Sequence, residues 1–245
     1  AIAEYAQAKT DEWIVPYEKA TDNIPNDEFE DFKRLSSIET GKSRVLSSRQ
    51  NGENGWAVYL PLYKEQVCAK NLGVIVELST GAGFGTSAIA DTKDRDSILF
   101  TVDIDFACHG NVVGISKFLG VEDSLLSVCA NFWNMPFGDG SVDVVCSNFG
   151  LDESRENNKT IAEVSRMLKS GGKFVNTSRK NAFIRQYNIL EPFGFHKDET
   201  VELLKKARVY SDTENLIEQC RDNDLLLQQE ETFNEKFCVT TFIKK

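Results

Sequence analysis

The stretch VIVELSTGAGFGTSA, residues 74–88, closes a short apolar run with one acid, Glu77, and then places glycines at 81, 83 and 85. A strand that stops at a glycine turn before a helix is built for an anionic or polar ligand. Glycine lets the backbone come close, and the first N–H groups of the helix carry partial positive charge. The dinucleotide fingerprint G-x-G-x-x-G would need its last glycine at position 86, where the chain has Thr86. A carboxylate at Glu77 would repel a pyrophosphate and attract an ammonium group. The pattern points to a ligand with a cationic end. Asp103 stands 20 residues after Gly83, at the end of a second apolar run, FTVDID. At the carboxyl edge of a doubly wound sheet, an acid so placed grips the two hydroxyls of a ribose. Helix N-capping is the structural alternative for Asp103 and Asp105.

The elements that must position these groups are read from period and turn signals. GVIVEL, SILFTVDI, SLLSVCANF, SVDVVCSNFG and KFVNTS read as five short, buried, β-branched strands. Helices lie between them at TSAIADTK, FACHGNVVGISKFLG and NNKTIAEVSRMLKS. The last carries Ile161, Val164 and Leu168 on one stripe, with Gly171–Gly172 as its stop. Alternation of strand and helix implies a parallel sheet with helices on both faces. After this core, TENLIEQCRDNDL reads as a helix, and LLLQQEETF and KFCVTTFIK as two closing strands joined by a tight turn at NE. Before it, EYAQAKTDEWIVPYEKA, NIPNDEFEDFKRLSSI and WAVYLPLYKEQVCAKNL have helical spacing, with RQNGENG as a loop and a break near Pro61. The expected organisation is one domain: a helical cap over 1–70, a ligand-binding core over 71–178, an inserted segment over 179–212, and a closing helix and two strands over 213–245.

The third station is ANFWNMPFGDGSVDVV, and with it the motifs acquire a family. VIVELSTGAGFGT resembles the first motif of the class I S-adenosylmethionine-dependent methyltransferases, an acid followed by G-x-G-x-G. FTVDID resembles the second motif. ANFWNMPFGDGSVDVV is similar to D-A-x-x-L-P-F-x-D-x-S-F-D, and IAEVSRMLKSGGKFV to the helix and strand ending L-K-P-G-G. The likeness runs in order from residue 73 to about 178 and is nearest to the branch acting on small molecules. It implies a Rossmann-like, doubly wound, seven-stranded and mostly parallel sheet with an antiparallel last strand. It implies S-adenosyl-L-methionine as cofactor. It assigns Glu77, Ser79, Gly81 and Gly83 to the methionine part. Asp103 goes to the ribose, Ile104, Asn131 and Phe132 to the adenine, and Asn148 to the floor beside the methyl group. Two positions depart from the pattern. Ser79 replaces the first glycine of the loop, and Asn131 replaces an aspartate while keeping an acceptor oxygen.

The implied reaction is in-line transfer of a methyl group to a small-molecule acceptor. Such transfer needs alignment and exclusion of water more than acid–base help when the nucleophile is an amine or thiol. Asp152, Glu153 and His196 are candidate bases, and none is assigned. Aromatic residues in the added segments are candidate acceptor contacts, chiefly Tyr59, Tyr63, Phe149 and Tyr187, with core packing as the alternative. A binding protein that keeps the fold without transfer stays open, because of Ser79, Asn131 and the missing base. An RNA or protein methyltransferase is disfavoured by SNFG after the fourth strand, where an N-P-P-Y-type tetrapeptide would be expected. A dehydrogenase is disfavoured by Thr86 and Glu77.

Composition sets the outer limits. The chain of 245 residues is 41% hydrophobic and 27% charged, with net charge −10. That balance argues against nucleic acid as the main partner. Lys33, Arg34, Lys42, Arg44 and Arg49 form a mildly basic region, read as a solvated face. No apolar run is long enough to cross a membrane. The polar N-terminus lacks the regions of a signal peptide, so a cytoplasmic location is expected. Six cysteines without C-x-x-C spacing read as reduced, mostly core thiols, and two distant histidines give no zinc site. Oligomeric state is not legible.

Overall fold

In the computed structural model, residues 38–54, 57–68, 73–153, 157–179 and 213–245 are described. Among these residues two helices, α1 (Ile38–Asn54) and α2 (Leu60–Val67), precede the alternating core. The core runs β1 (Val74–Leu78), α3 (Phe84–Ala90), β2 (Ile98–Asp103), α4 (Cys108–Leu119), β3 (Leu125–Cys129) and β4 (Val142–Asn148). A single 3₁₀ turn (Leu151–Glu153) then leads to α5 (Asn157–Met167) and β5 (Leu168–Arg179). The described part closes with α6 (Thr213–Asp222), β6 (Leu225–Phe233) and β7 (Phe237–Lys244).

The strands form one seven-stranded sheet in the order β3-β2-β1-β4-β5-β7-β6. β1, β2, β3, β4 and β5 pair in parallel, and β7 runs antiparallel to both β5 and β6. The expected mostly parallel sheet with an antiparallel last strand is thus observed. The order reverses between β1 and β4, and their carboxyl ends open a crevice at that switch point.

Alternation along each strand divides the core between two faces. Ile75, Leu99, Val144 and Val175 face α1, α2, α3 and α4, packing with Val45, Leu60, Ile89 and Ile115. Val76, Val102, Val145 and Phe174 face α5 and α6, packing with Ile161, Val164, Met167 and Leu216. Glu77 shares its face with Ile75, so its carboxyl enters the α2–α3 side among apolar neighbours. α1 crosses α4 at a close contact, where a Cβ on Gly41 would lie 1.9 Å from the carbonyl oxygen of Gly114. The small residues of α4 therefore provide a flat seat for α1.

Several boundaries differ from the sequence reading. RQNGENG is helical as far as Asn54, because α1 is held along its length by buried Val45 and Ser48 and by the ion pair of Arg49 with Asp91 at 2.6 Å. Pro61 starts α2 rather than breaking it, in the first turn where a missing N–H costs nothing. α5 stops at Met167, before the Gly171–Gly172 stop, because Leu168 already pairs with Val142 in the sheet. Pairing then resumes at Val144 with Lys173, so residues 169–172 bulge out around Gly171 at φ 76°. The β6–β7 turn has Asn234 and Glu235 at φ 49° and 55°, the mirror-image turn that suits strand twist. The reading of a helix from Asn26 falls mostly outside the described residues.

Candidate active site

The crevice at the carboxyl ends of β1, β4 and β5 holds a cavity of about 410 Å³. Its walls come from α1, the glycine loop, the end of β4 and the end of β5. Among the described residues Glu77 is the single acid lining it, and only 1% of the residue is exposed. The Thr86 hydroxyl donates to Glu77 Oε2 at 2.5 Å. A Cβ on Gly85 would lie 2.3 Å from Glu77 Oε1, so residue 85 must be glycine for the carboxyl to fit. Tyr63 and Cys146 are close neighbours of the same carboxyl. Burial pushes the Glu77 carboxyl up to about 8, the Thr86 bond works against that rise, and the charge of Asp103 adds to it. Among the described residues no cation pairs with Glu77.

The glycine loop is tied down from β2. Asp103 accepts the Gly81 N–H at 2.9 Å on one oxygen and the Asp105 N–H at 2.9 Å on the other. Asn111 of α4 donates to the Gly81 carbonyl at 3.1 Å. Ser79 lies at φ 64°, in the left-handed region. Glycine adopts that backbone without cost, so the serine, where the family pattern has glycine, carries strain that glycine would not.

The adenine-side candidates sit along the ends of β2 and β3. Ile104 is 38% exposed at the end of β2. Asn131 Oδ1 accepts the Trp133 N–H at 3.0 Å and so shapes the loop after β3. Phe132 packs partly against the α5–α6 side of the core. Arg166 fastens the far side of this loop, donating to the carbonyls of Met135 and Phe137 and to Glu163 and Asp139. Its charge and bonds hold the Glu163 carboxyl below the usual range, against the cost of burial.

The acceptor-side candidates divide. Phe149 lines the cavity at φ 66° and meets Tyr59 edge-on at 5.3 Å. Asn148 lines it as well, at the end of β4. Tyr59 and Tyr63 are fully buried in the core cluster behind the cavity, because α2 lies flat on the sheet and points both rings inward. They support the wall and are not among its lining residues. Burial drives the Tyr63 hydroxyl well above its ordinary range. Asp152 is not placed as a base: its side chain is 2% exposed and paired with Arg179. Tyr187, His196 and the Glu153 side chain lie outside the described residues.

Two arginines were not among the residues picked from the sequence. Arg44, grouped there with a solvated basic face, lines the cavity from α1. Arg179 lines it from the last position of β5. Arg44 is contributed by an element remote in the chain, and no spacing rule could find it. Arg179 did carry a signal, since it ends a parallel strand at the same carboxyl edge as Asp103 and Asn148. Among the described residues, no group of His, Cys, Asp or Glu is placed to hold a metal ion, and no helix is long and apolar enough to cross a membrane.

Comparison with known proteins adds an independent line. Residues 76–176 match a family model described as a methyltransferase domain. The chain is 28% identical over 120 residues to dimethylglycine N-methyltransferase of Parasynechococcus marenigrum (strain WH8102), covering 49% of this chain and 42% of that one. It is 34% identical over 101 residues to demethylmenaquinone methyltransferase of Clavibacter sepedonicus, covering 41% of this chain and 39% of that one. Each match thus spans less than half the length of the relative. Among solved structures, geranyl diphosphate C-methyltransferase from Streptomyces coelicolor A3(2), in complex with Mg2+, geranyl diphosphate and S-adenosyl-L-homocysteine, superposes with a TM-score of 0.59 at 13% identity. That superposition covers 77% of this chain and 79% of the other, and it speaks for the fold. Strand order, glycine loop and family match agree that residues 76–176 belong to the class I S-adenosylmethionine-dependent methyltransferases.

Proposed function

We propose that this chain is an S-adenosylmethionine-dependent methyltransferase acting on a small-molecule acceptor. The observation that carries the reading is Glu77: a buried carboxyl on a cavity wall, fenced by Gly85, with no cation partner among the described residues. A buried ionised carboxylate requires a partner, and the ammonium of a methionine moiety is one. Arg44, which lines the same cavity from α1, suits the carboxylate of the same moiety. Asp103 already accepts two backbone N–H groups, and its remaining lone pairs suit ribose hydroxyls. Ile104 offers an apolar face to adenine, and Asn131 keeps an amide group for its edge.

When bound, S-adenosylmethionine supplies a methyl group on a sulfonium sulfur that keeps the bonding electron pair as the methyl departs. The chain's own part is alignment and shielding. The glycine loop, fixed by Asp103 and Asn111, holds the donor side. Asn148 and Phe149 form the wall facing the acceptor. Asp152 is engaged with Arg179, so no described carboxylate is free to take a proton at this wall. The names of the curated relatives, N- and C-methyltransferases of small molecules, support the same class of acceptor. Calorimetry with S-adenosylhomocysteine tests the reading. Binding that is lost in Glu77→Gln is expected. No heat at high micromolar ligand, or binding of NADH instead, overturns it.

A further inference from the structure

Asn131 is held by its own loop in one orientation. Its Oδ1 accepts the Trp133 N–H at 3.0 Å, and its backbone carbonyl accepts the Asn134 N–H at 3.0 Å. The donor at Trp133 fixes which end of the amide is oxygen, because an NH2 group there would meet another N–H. Exchanging the two ends would lose that bond and set two donors face to face. The amide is planar, so an oxygen turned back onto the loop leaves Nδ2 on the opposite side. Among the described residues nothing accepts a hydrogen bond from Nδ2.

Both ends of the loop are fixed as well. Cys129 is the register partner of Asp103 across β2 and β3, and the Ala130 N–H donates to the Asp103 carbonyl at 3.2 Å. Asn131 thus follows directly on a residue bonded to Asp103, and the exposed Ile104 follows Asp103 at the end of the neighbouring strand. Beyond it, Arg166 donates to the carbonyls of Met135 and Phe137 at 3.3 and 2.8 Å. On the reading above, ribose lies at Asp103 and the flat base lies against Ile104. The edge of that base then falls at Asn131.

A donor and an acceptor at that place read different purines. Adenine presents an amino group that donates at position 6 and a ring nitrogen that accepts at position 1. Hypoxanthine, its deaminated counterpart, presents a carbonyl that accepts at position 6 and an N–H at position 1. A carboxylate beside the edge accepts from the amino group and repels the carbonyl oxygen. An outward Nδ2 meets N1 of adenine or O6 of hypoxanthine, and it makes no use of the amino group. We propose that Asn131 reads the purine edge as a hydrogen-bond donor, so that this chain takes a 6-oxopurine form of its nucleoside ligand as readily as the 6-aminopurine form. The inference rests on the methyltransferase reading, and the test separates the two.

Calorimetry on the full chain compares S-adenosylhomocysteine with S-inosylhomocysteine, which differs from it only at the base edge. The parent should bind the two with affinities within about fivefold of each other. Asn131→Asp keeps an oxygen for the Trp133 N–H, so the loop should hold its shape, but the outward donor becomes an acceptor. In that variant the adenosyl ligand should be favoured by about tenfold or more. A parent that binds neither ligand overturns the underlying reading. A parent that binds the adenosyl ligand and favours it by more than about fivefold overturns this inference alone. A ratio of the two affinities that Asn131→Asp leaves at the parent value also overturns it, since residue 131 would then lie away from the base.

Discussion

Gly150 lies so close to Ser79 that a Cβ on the glycine would stand 2.5 Å from the serine Cβ. The two residues follow β1 and β4, at the switch point where the cavity opens. Ser79 is left-handed at φ 64°, so its side chain occupies space that a glycine in the same place would leave empty. Residue 150 has given up its own side chain where residue 79 has kept one. Replacing Gly150 by alanine should cost about 2 kcal/mol through overpacking, since the new Cβ also meets Ser147 Oγ at 2.8 Å and the Leu78 carbonyl at 3.0 Å. Ser79→Gly should be neutral to stabilising by about 0.5 kcal/mol, as relief of left-handed strain outweighs the added freedom of the unfolded chain. In the double variant the alanine should cost less than in the parent. Urea unfolding of the four proteins measures the coupling, and strict additivity would contradict a shared contact.

Glu77 makes a pH prediction. Its carboxyl is pushed up to about 8 by burial, so the folded protein holds a proton that the unfolded chain releases near 4.5. Between those values the native state binds more protons, and stability of the ligand-free protein falls as pH rises, levelling above about 8. Glu77→Gln removes this slope and should raise Tm at alkaline pH by about 4 °C. An ammonium ligand needs the ionised form, so affinity for S-adenosylhomocysteine in the parent should climb as pH approaches about 8, and the variant should bind weakly throughout. Thermal melts and calorimetry across that range decide it. Parallel melting curves for parent and variant at every pH would refute the assignment.

Arg166 controls the loop that carries Asn131 and Phe132. It donates to two carbonyls and two carboxylates on the far side of that loop, and Glu163 in turn accepts the Met135 N–H at 2.7 Å. Arg166→Ala leaves Glu163, 11% exposed, without its cation. A loss of about 2 kcal/mol is expected by chemical denaturation. Affinity for adenosine-containing ligands should drop several-fold, while the pH response set by Glu77 stays in place. An unchanged denaturation midpoint would show that the loop is held by something else.

What the sequence made legible follows from which interactions are local. Buried β-branched runs and short turns set the order of strands and helices, because the period of each run is a property of the run itself. The glycine loop was legible for the same reason, and Thr86 proved informative twice: it breaks the dinucleotide fingerprint and donates to Glu77. Boundaries failed where tertiary packing overrode composition, as at RQNGENG, which α1 absorbs, and at Leu168, which β4 draws into the sheet. The role of Ser79 was opaque because a backbone angle has no signature in residue type. Arg44 was hidden because its partners in the cavity are far away in the chain. Tyr59 and Tyr63 were candidates for the cavity, yet an aromatic two or three turns ahead of a strand can point to either side, and only the seating of α2 decides.

Asp103 offers the sharpest separation of binding from scaffold. Its two oxygens are divided between the Gly81 and Asp105 N–H groups, one fixing the glycine loop and the other the turn into α4. Asparagine keeps a single acceptor, so one of those N–H groups must lose its partner. A destabilisation of about 1 to 2 kcal/mol follows from that loss alone. Ribose hydroxyls, if they also bond here, would lose a charged acceptor as well, which adds about a tenfold loss of affinity or more. Comparing S-adenosylhomocysteine with a 2′,3′-dideoxyribose analogue isolates the second effect. Asp103→Asn should cost the ribose ligand much more than the dideoxy analogue. Equal losses for the two ligands would leave Asp103 as a clamp for the glycine loop and remove it from the ribose site.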